Sequence, residues 1–359
     1  MKQELQELQG WHKLATGYSA LPQCALIVPT FRRPAEMVRL LGVVAMLEDA
    51  PGEFLVIDGS PDDAVDRAIQ DWAKDKELPF NLVYVRSPAG LTRQRNVGID
   101  ACTREFIFFL DDDCLPEPGY FESIHGVFVA DTKGEVGAVR GFLTNGINKP
   151  KTLLWRLRHA LRIVPQGAPG QYHHCGSSGT WDMVQPFSGN RPVDLLSGGA
   201  AAYRREVFLK HRFSEFFYGY AQGEDMEMSL RIGKEWKLLV CGDARVDHHH
   251  ADSGRPAGIA RGQMAVRNRY FIWRRHSPDP GAKNQFLFWM DHVLMTAYYT
   301  ASFLVRPWRP YYLGFATGTT KGLIECLVSP PRHQESPARS EYAFNLRETN
   351  AAVVSAKTV

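Results

Sequence analysis

Three consecutive carboxylates, Asp111, Asp112 and Asp113, follow five apolar residues in the stretch FIFFLDDDC at 106–114. In an extended chain alternate side chains share a face, so Asp111 and Asp113 converge while Asp112 points elsewhere. Two convergent carboxylates suit Mg2+ or Mn2+, which completes its shell with phosphate oxygens. The competing reading is an exposed acidic turn, and the fully apolar run before it argues against that. A second acidic pair, Glu224-Asp225, follows Gly223 at the head of the helical stretch GEDMEMSLRIGKEW, in which Glu227 and Arg231 have ion-pair spacing. Acidic residues favour a helix N-terminus on electrostatic grounds alone. A carboxylate held there is also placed to take a proton from an incoming hydroxyl, the work of a general base. The third cluster, ARVDHHHADSGR at 244–255, sets His248 and His250 on one face of an extended segment. No cysteine or third histidine stands near them at zinc-like spacing, so a closed structural zinc site does not fit. One of the two completing an aspartate-based Mn2+ site does.

Such groups need strands to hold them. Residues 24–29 (CALIVP), 53–57 (EFLVI), 81–85 (NLVYV) and 106–110 read as short buried strands, and 35–48, 62–76 and 92–102 as helices between them. Strand and helix in alternation predict an α/β fold with a mostly parallel sheet flanked by helices on both faces. Ligands of open parallel sheets bind beyond the carboxyl ends of the strands. Three polar clusters fall at such ends: Thr30-Phe31-Arg32-Arg33, Asp58-Gly59-Ser60 and the three aspartates. Later, 151–164 reads as a helix with Leu154, Leu157, Leu161 and Val164 on one face, and 165–192 as a Gly-, Pro- and Ser-rich loop.

Apolar residues make up 44% of the 359, which is enough for a substantial core. A formal net charge of only +3 excludes nucleic acid as a default partner. The six cysteines are scattered without a CxxC pair, as in a reducing compartment. The opening MKQELQELQGWHK lacks an apolar signal core, so the expected location is cytoplasmic.

In order along the chain, VPTFRR, VIDGS, GLTRQRNVGI, FFLDDD, LLSGGAAAYRREVF, GEDMEMSLR and a later histidine resemble the family 2 glycosyltransferases with the GT-A fold, over roughly 23–275. The resemblance implies a metal-dependent inverting transferase that moves a sugar from a nucleotide-diphosphate sugar to an acceptor hydroxyl. Its first loop, here Pro29, Thr30 and Arg32 on to Arg33, lies near the nucleotide in the family. Asp58 matches the residue that bonds the base, and Arg95 and Asn96 the pair that shapes the nucleotide pocket. Asp111, with Asp112 beside it, matches the aspartate near ribose and metal. Asp113 matches the metal ligand, and Ser197, Gly198 and Gly199 the turn lining the sugar and acceptor site. Asp225 matches the catalytic base beside Glu224, and His248 or its rival His250 the histidine that completes the metal site. Many members carry a second acidic residue where this chain has Gly59, so uridine is not implied over thymidine or guanosine.

The expected organisation is an N-terminal extension (1–22), a transferase domain (23–275, with a nucleotide half 23–145 and an acceptor and base half 146–275), a helical membrane-interface region (276–330) and a disordered tail (331–359). The interface reading rests on RNRYFIWRR (267–275) and VRPWRPYYLGF (305–315), which interleave arginines with aromatics, and on the apolar run 286–305 between them. A spanning helix needs about 20 apolar residues, and Asp291 interrupts this run. An interfacial helix, a packed helical subdomain and a true span all remain open at this point. The interfacial reading implies a glycan or lipid-linked acceptor and peripheral contact with the cytoplasmic membrane. The rivals are a two-metal phosphohydrolase, which leaves VPTFRR, RN and SGG unexplained, and an inactive nucleotide-binding or scaffold subunit.

Overall fold

The computed structural model describes residues 11–17, 19–146, 152–165, 167–179, 184–249 and 257–331. His250 and residues 332–359 lie outside them. The first half alternates as the apolar runs predict. The strands are β1 (Trp11–Ala15), β2 (Leu21–Thr30), β3 (Pro51–Asp58), β4 (Asn81–Arg86) and β5 (Phe106–Leu110). Between them lie α1 (Pro34–Ala45), α2 (Ala64–Ala73) and α3 (Leu91–Ala101). Then follow β6 (Cys114–Pro116), α4 (Tyr120–Ala130), β7 (Val136–Leu143), α5 (Leu153–Ala160), β8 (Asn190–Pro192), β9 (Ala200–Arg204), α6 (Val207–Lys210), α7 (Glu224–Ile232) and β10 (Lys237–His248). Three long helices close the described chain: α8 (Gly258–His276), α9 (Gly281–Val305) and α10 (Pro310–Val328).

One sheet runs in the order β1-β4-β3-β2-β5-β9-β7-β10-β6, with β8 paired to β10. The pairs β2–β3, β3–β4, β2–β5 and β7–β10 are parallel, while β9 enters antiparallel between β5 and β7. The winding reverses between β2 and β5, and that is the switch point at which α/β sheets open a crevice beyond their strand ends. The apolar run at 106–110 is explained by burial on both faces. Phe106, Phe108 and Leu110 enter the core under α1 and α4, and Ile107 and Phe109 the one shared with α3, Tyr203 and Phe213. All six cysteines are free and buried. Burial pushes the thiols of Cys24, Cys102 and Cys326 up to about 12.

Candidate active site

The strand β5 delivers the aspartates, but they do not continue it. Cys114 N–H donates to the Asp111 carbonyl at 3.0 Å, so 111–114 is a tight turn. The turn, not strand alternation, brings Asp111 and Asp113 together. His248 arrives from far along the chain because β10 pairs antiparallel with β6, with His248 opposite Cys114. Its Nε2 lies 3.1 Å from Asp113 Oδ1. Asp112 turns away, accepting from Thr30 Oγ1 at 2.8 Å and Arg33 Nη1 at 2.7 Å. These two bonds tie the ends of β2 and β5 together across the switch point. Burial pushes the Asp112 carboxyl up to about 6, against the pull of Arg33 and Thr30.

A second chain of contacts joins the three polar motifs. Arg95, on α3, is buried with a guanidinium near the rings of Phe109 and Phe213. It donates to Glu224 Oε1 at 2.6 Å and to Asp111 Oδ1 at 3.3 Å. The turn at 197–199 rides directly over this bridge. A Cβ at position 198 would stand 2.7 Å from Arg95 Nη1, and one at 199 would stand 2.4 Å from Asp111 Oδ2. The SGG turn is glycine-rich because backbone must approach an ion cluster more closely than any side chain allows. Gly198 N–H in turn donates to Asp225 Oδ2 at 3.1 Å.

The two acidic residues heading α7 are not equivalent. Gly223 caps the helix with φ +95, which sets Glu224 inward and leaves Asp225 half-buried. Burial and the neighbouring Asp225 push Glu224 up to about 8, against the pull of Arg95. Asp225 keeps one oxygen on Gly198 N–H and the other on Met226 N–H at 2.7 Å. The Glu227–Arg231 pair predicted from spacing is present at 2.8 Å.

The remaining predicted residues divide between the crevice and its scaffold. Pro29 and Thr30 end β2 and are buried, and the Thr30 carbonyl accepts from Gln94 Nε2 at 2.8 Å. Arg32 is exposed in a left-handed conformation, φ 56, with its N–H on Ser60 Oγ at 2.7 Å. Asp58 is buried, accepting from Ser60 N–H and from Tyr84 Oη, both at 2.8 Å. Asn96 faces away from the aspartates. Its amide bonds both backbone groups of Phe213, at 2.9 and 3.0 Å, and fixes the loop before α7. Sequence reasoning missed Arg33 as a partner of the aspartates, although it is the second arginine after a strand end. It also missed Gln94, which bonds the carbonyls of Thr30 and Ile57 at once.

The donor set fits a hard divalent cation. One ligand atom each from Asp111, Asp113, Cys114 and His248 lies within 4.8 Å of the others. Burial and the surrounding aspartates hold the Cys114 thiol protonated, well above its ordinary range, which leaves two carboxylates and an imidazole. Arg33 serves Asp112 and Asp113, and Arg95 serves Asp111 and Glu224.

A mostly parallel sheet thus carries a carboxylate turn at its switch point, the place where α/β sheets bind ligands. Residues 25–212, just over half of the chain, match the model described as glycosyl transferase family 2, and the chain belongs to that family. Its similarity to a Pasteurella multocida hyaluronan synthase is 22% identity over 245 residues, covering 64% of this chain and 25% of the relative. To the Rhizobium meliloti (strain 1021) succinoglycan biosynthesis protein ExoM it is 35% over 89 residues, covering 24% of this chain and 28% of the relative. The chain therefore spans about a quarter of the length of these curated relatives. The fold resembles that of the Pyrobaculum calidifontis mannosyltransferase PcManGT in complex with GDP-Man and Mn2+, with TM-score 0.50, 15% identity, and coverage of 92% of this chain and 94% of that one. It also resembles GalNAc-T7 with UDP, GalNAc and Mn2+, with TM-score 0.52, 13% identity and coverage of 87% and 58%. The fold is thus of the GT-A type expected.

Proposed function

We propose that the chain is a metal-dependent inverting glycosyltransferase that moves a sugar from a nucleotide-diphosphate sugar to an acceptor hydroxyl. The observation that carries this reading is one cluster: His248 pairs with Asp113 beside Asp111, Asp111 bonds Arg95 through its carboxylate and the Gly199 carbonyl through its N–H, and Gly198 N–H bonds Asp225. Asp111, Asp113 and His248 would hold Mn2+ or Mg2+, which when bound supplies a Lewis acid for the leaving diphosphate. Arg33 adds positive charge at the same edge. Asp225 is the base: it is half-exposed and positioned by Gly198 N–H to take the acceptor proton at its carboxylate. Glu224 is no base, because its carboxyl is buried against Arg95. Attack opposite the leaving group inverts the anomeric centre in one displacement. Pro29, Thr30, Arg32 and Asp58 border the crevice assigned to the nucleotide, and Ser197 to Gly199 the sugar.

The acceptor we propose is a polysaccharide or lipid-linked glycan of the cell surface, met at the cytoplasmic face of the membrane. Support comes from the arginine- and aromatic-rich C-terminal helices and from 29% identity over 96 residues to a Campylobacter jejuni enzyme named as a GalNAc(5)-diNAcBac-PP-undecaprenol beta-1,3-glucosyltransferase.

Thermal unfolding with UDP, dTDP, GDP or CDP, each with Mn2+ and with EDTA, tests the donor site. One diphosphate should stabilise the chain only with metal, by about 2.7 kcal/mol at 100 times its dissociation constant. Asp113→Ala should lose that shift. Asp225→Asn should keep it while losing transfer. Normal turnover by Asp225→Asn would remove Asp225 as base.

A further inference from the structure

Helix α9 is turned inside out. Its ionisable residues in the apolar run, Asp291 and His292, point into the protein. Asp291 is held by Arg158 Nε at 2.5 Å and Arg269 Nη1 at 3.1 Å, and His292 Nδ1 bonds the Phe288 carbonyl at 2.8 Å. The outward stripe is Phe286, Val293, Ala297 and Leu304, one face of a 3.6-residue repeat. Helix α10 continues the surface with Leu313, Ile324 and Leu327, the last 69% exposed. The turn between the helices carries Arg306, Trp308 and Arg309, with Trp308 71% exposed.

Charge on this surface has one sign. From Gly281 to Val328 the exposed charged residues are Lys283, Arg306, Arg309 and Lys321. The carboxylates of the same stretch, Asp291 and Glu325, are turned onto Arg158 and Arg269 and onto Arg267. Bare apolar stripes cost free energy in water. They are matched by the acyl boundary of a bilayer, where tryptophan and tyrosine sit at headgroup level and arginines meet anionic headgroups. No described helix is long and apolar enough to cross a membrane.

We propose that the α9–α10 hairpin docks the protein on an anionic lipid bilayer, lying in the interface. Helix α8 runs alongside α7, with Asn268 Nδ2 on the Gln222 carbonyl at 2.8 Å, and Gly258, at the start of α8, packs on the first turns of α10, so α8 joins the hairpin to the helix headed by Glu224 and Asp225. The proposal deepens the lipid-linked-acceptor reading and rests on it for its purpose, but the docking is measured without donor or acceptor.

The test is co-sedimentation of the full chain, in EDTA, with phosphatidylcholine vesicles with and without phosphatidylglycerol. Binding to the anionic vesicles is expected, and pure phosphatidylcholine should bind at least tenfold more weakly. Leu304→Ser with Trp308→Ser should weaken binding by tenfold or more. Arg306→Ala with Arg309→Ala should weaken it by roughly thirtyfold. Both doubles alter exposed side chains and should keep the wild-type melting temperature. Absence of wild-type binding, or binding that neither double weakens, would overturn the proposal. So would a dimer that the Leu304 and Trp308 changes dissolve in a chain that ignores vesicles, since a second copy would then be the occupant. Vesicle binding by a chain with no nucleotide response would sink the transferase reading instead and leave docking standing.

Discussion

At the scale of single residues, the site is organised around a cation that touches both acidic motifs. Arg95 satisfies Asp111 and Glu224 from beneath, and the glycine turn covers it from above. Gly199→Ala is therefore a sharper probe than removal of a carboxylate. Its new methyl would press on Asp111 Oδ2, so metal-dependent nucleotide stabilisation should fall by an equivalent of tenfold or more in affinity, measured by thermal shift. Wild-type Mn2+ dependence in that variant would show that Asp111 is not a ligand. The carboxylates of this site were legible in the sequence because residue type and strand-end position are local properties. Arg33 and the bridging role of Arg95 were not. Their partners lie 79 residues away in the first case and 129 in the second, and only the closed sheet brings them together. The contacts of Asn96 were equally hidden: its amide holds the Phe213 backbone, 117 residues away.

At the scale of elements, the parallel half of the sheet could be read from its apolar runs, since strands buried on both faces leave no room for polar alternation. Strand β9 could not be read so easily, for AAAYR carries no such run, and the three-residue β6 gains its meaning only from pairing with β10. The apolar run at 286–305 announced a helix but not which way it faces. Helices α8 and α10 make the closest contact between elements in this region. A Cβ at Gly262 would stand 2.3 Å from the Phe315 carbonyl oxygen, and one at Gly318 would stand 2.1 Å from that of Ile259. Gly318→Val should force the two helices apart and cost about 1–3 kcal/mol or more, read as a lower urea midpoint at pH 7. An unchanged midpoint would mean that the pair has slack.

At the scale of the whole molecule, one buried carboxylate, Glu227, fastens α7 to α8. Burial would raise Glu227, but His276, Arg231 and Arg275 outweigh it and hold the group at about 2. Its folded value lies below the unfolded one, near 4.3. The stabilisation is therefore present at neutral pH and lost as pH falls from about 4.5 towards 2, with a size on the order of 3 kcal/mol. Urea unfolding of wild type and Glu227→Gln should show the wild type losing more stability across that window. Parallel pH profiles would show that Glu227 titrates normally and does not join the two parts. This connection was half legible: spacing within α7 predicted Arg231, while Arg275 and His276 come from another helix.

The burial of all six cysteines makes the native surface silent to thiol-directed reagents. A maleimide dye offered to the folded chain has no accessible sulfur to alkylate, and the thiols pushed up to about 12 would react slowly even during brief openings. Trp308→Cys therefore supplies a single addressable handle without removal of any native cysteine. An environment-sensitive fluorophore attached there would report directly on the polarity around the hairpin turn, and the appearance of further labelled sites on warming would time the opening of the core.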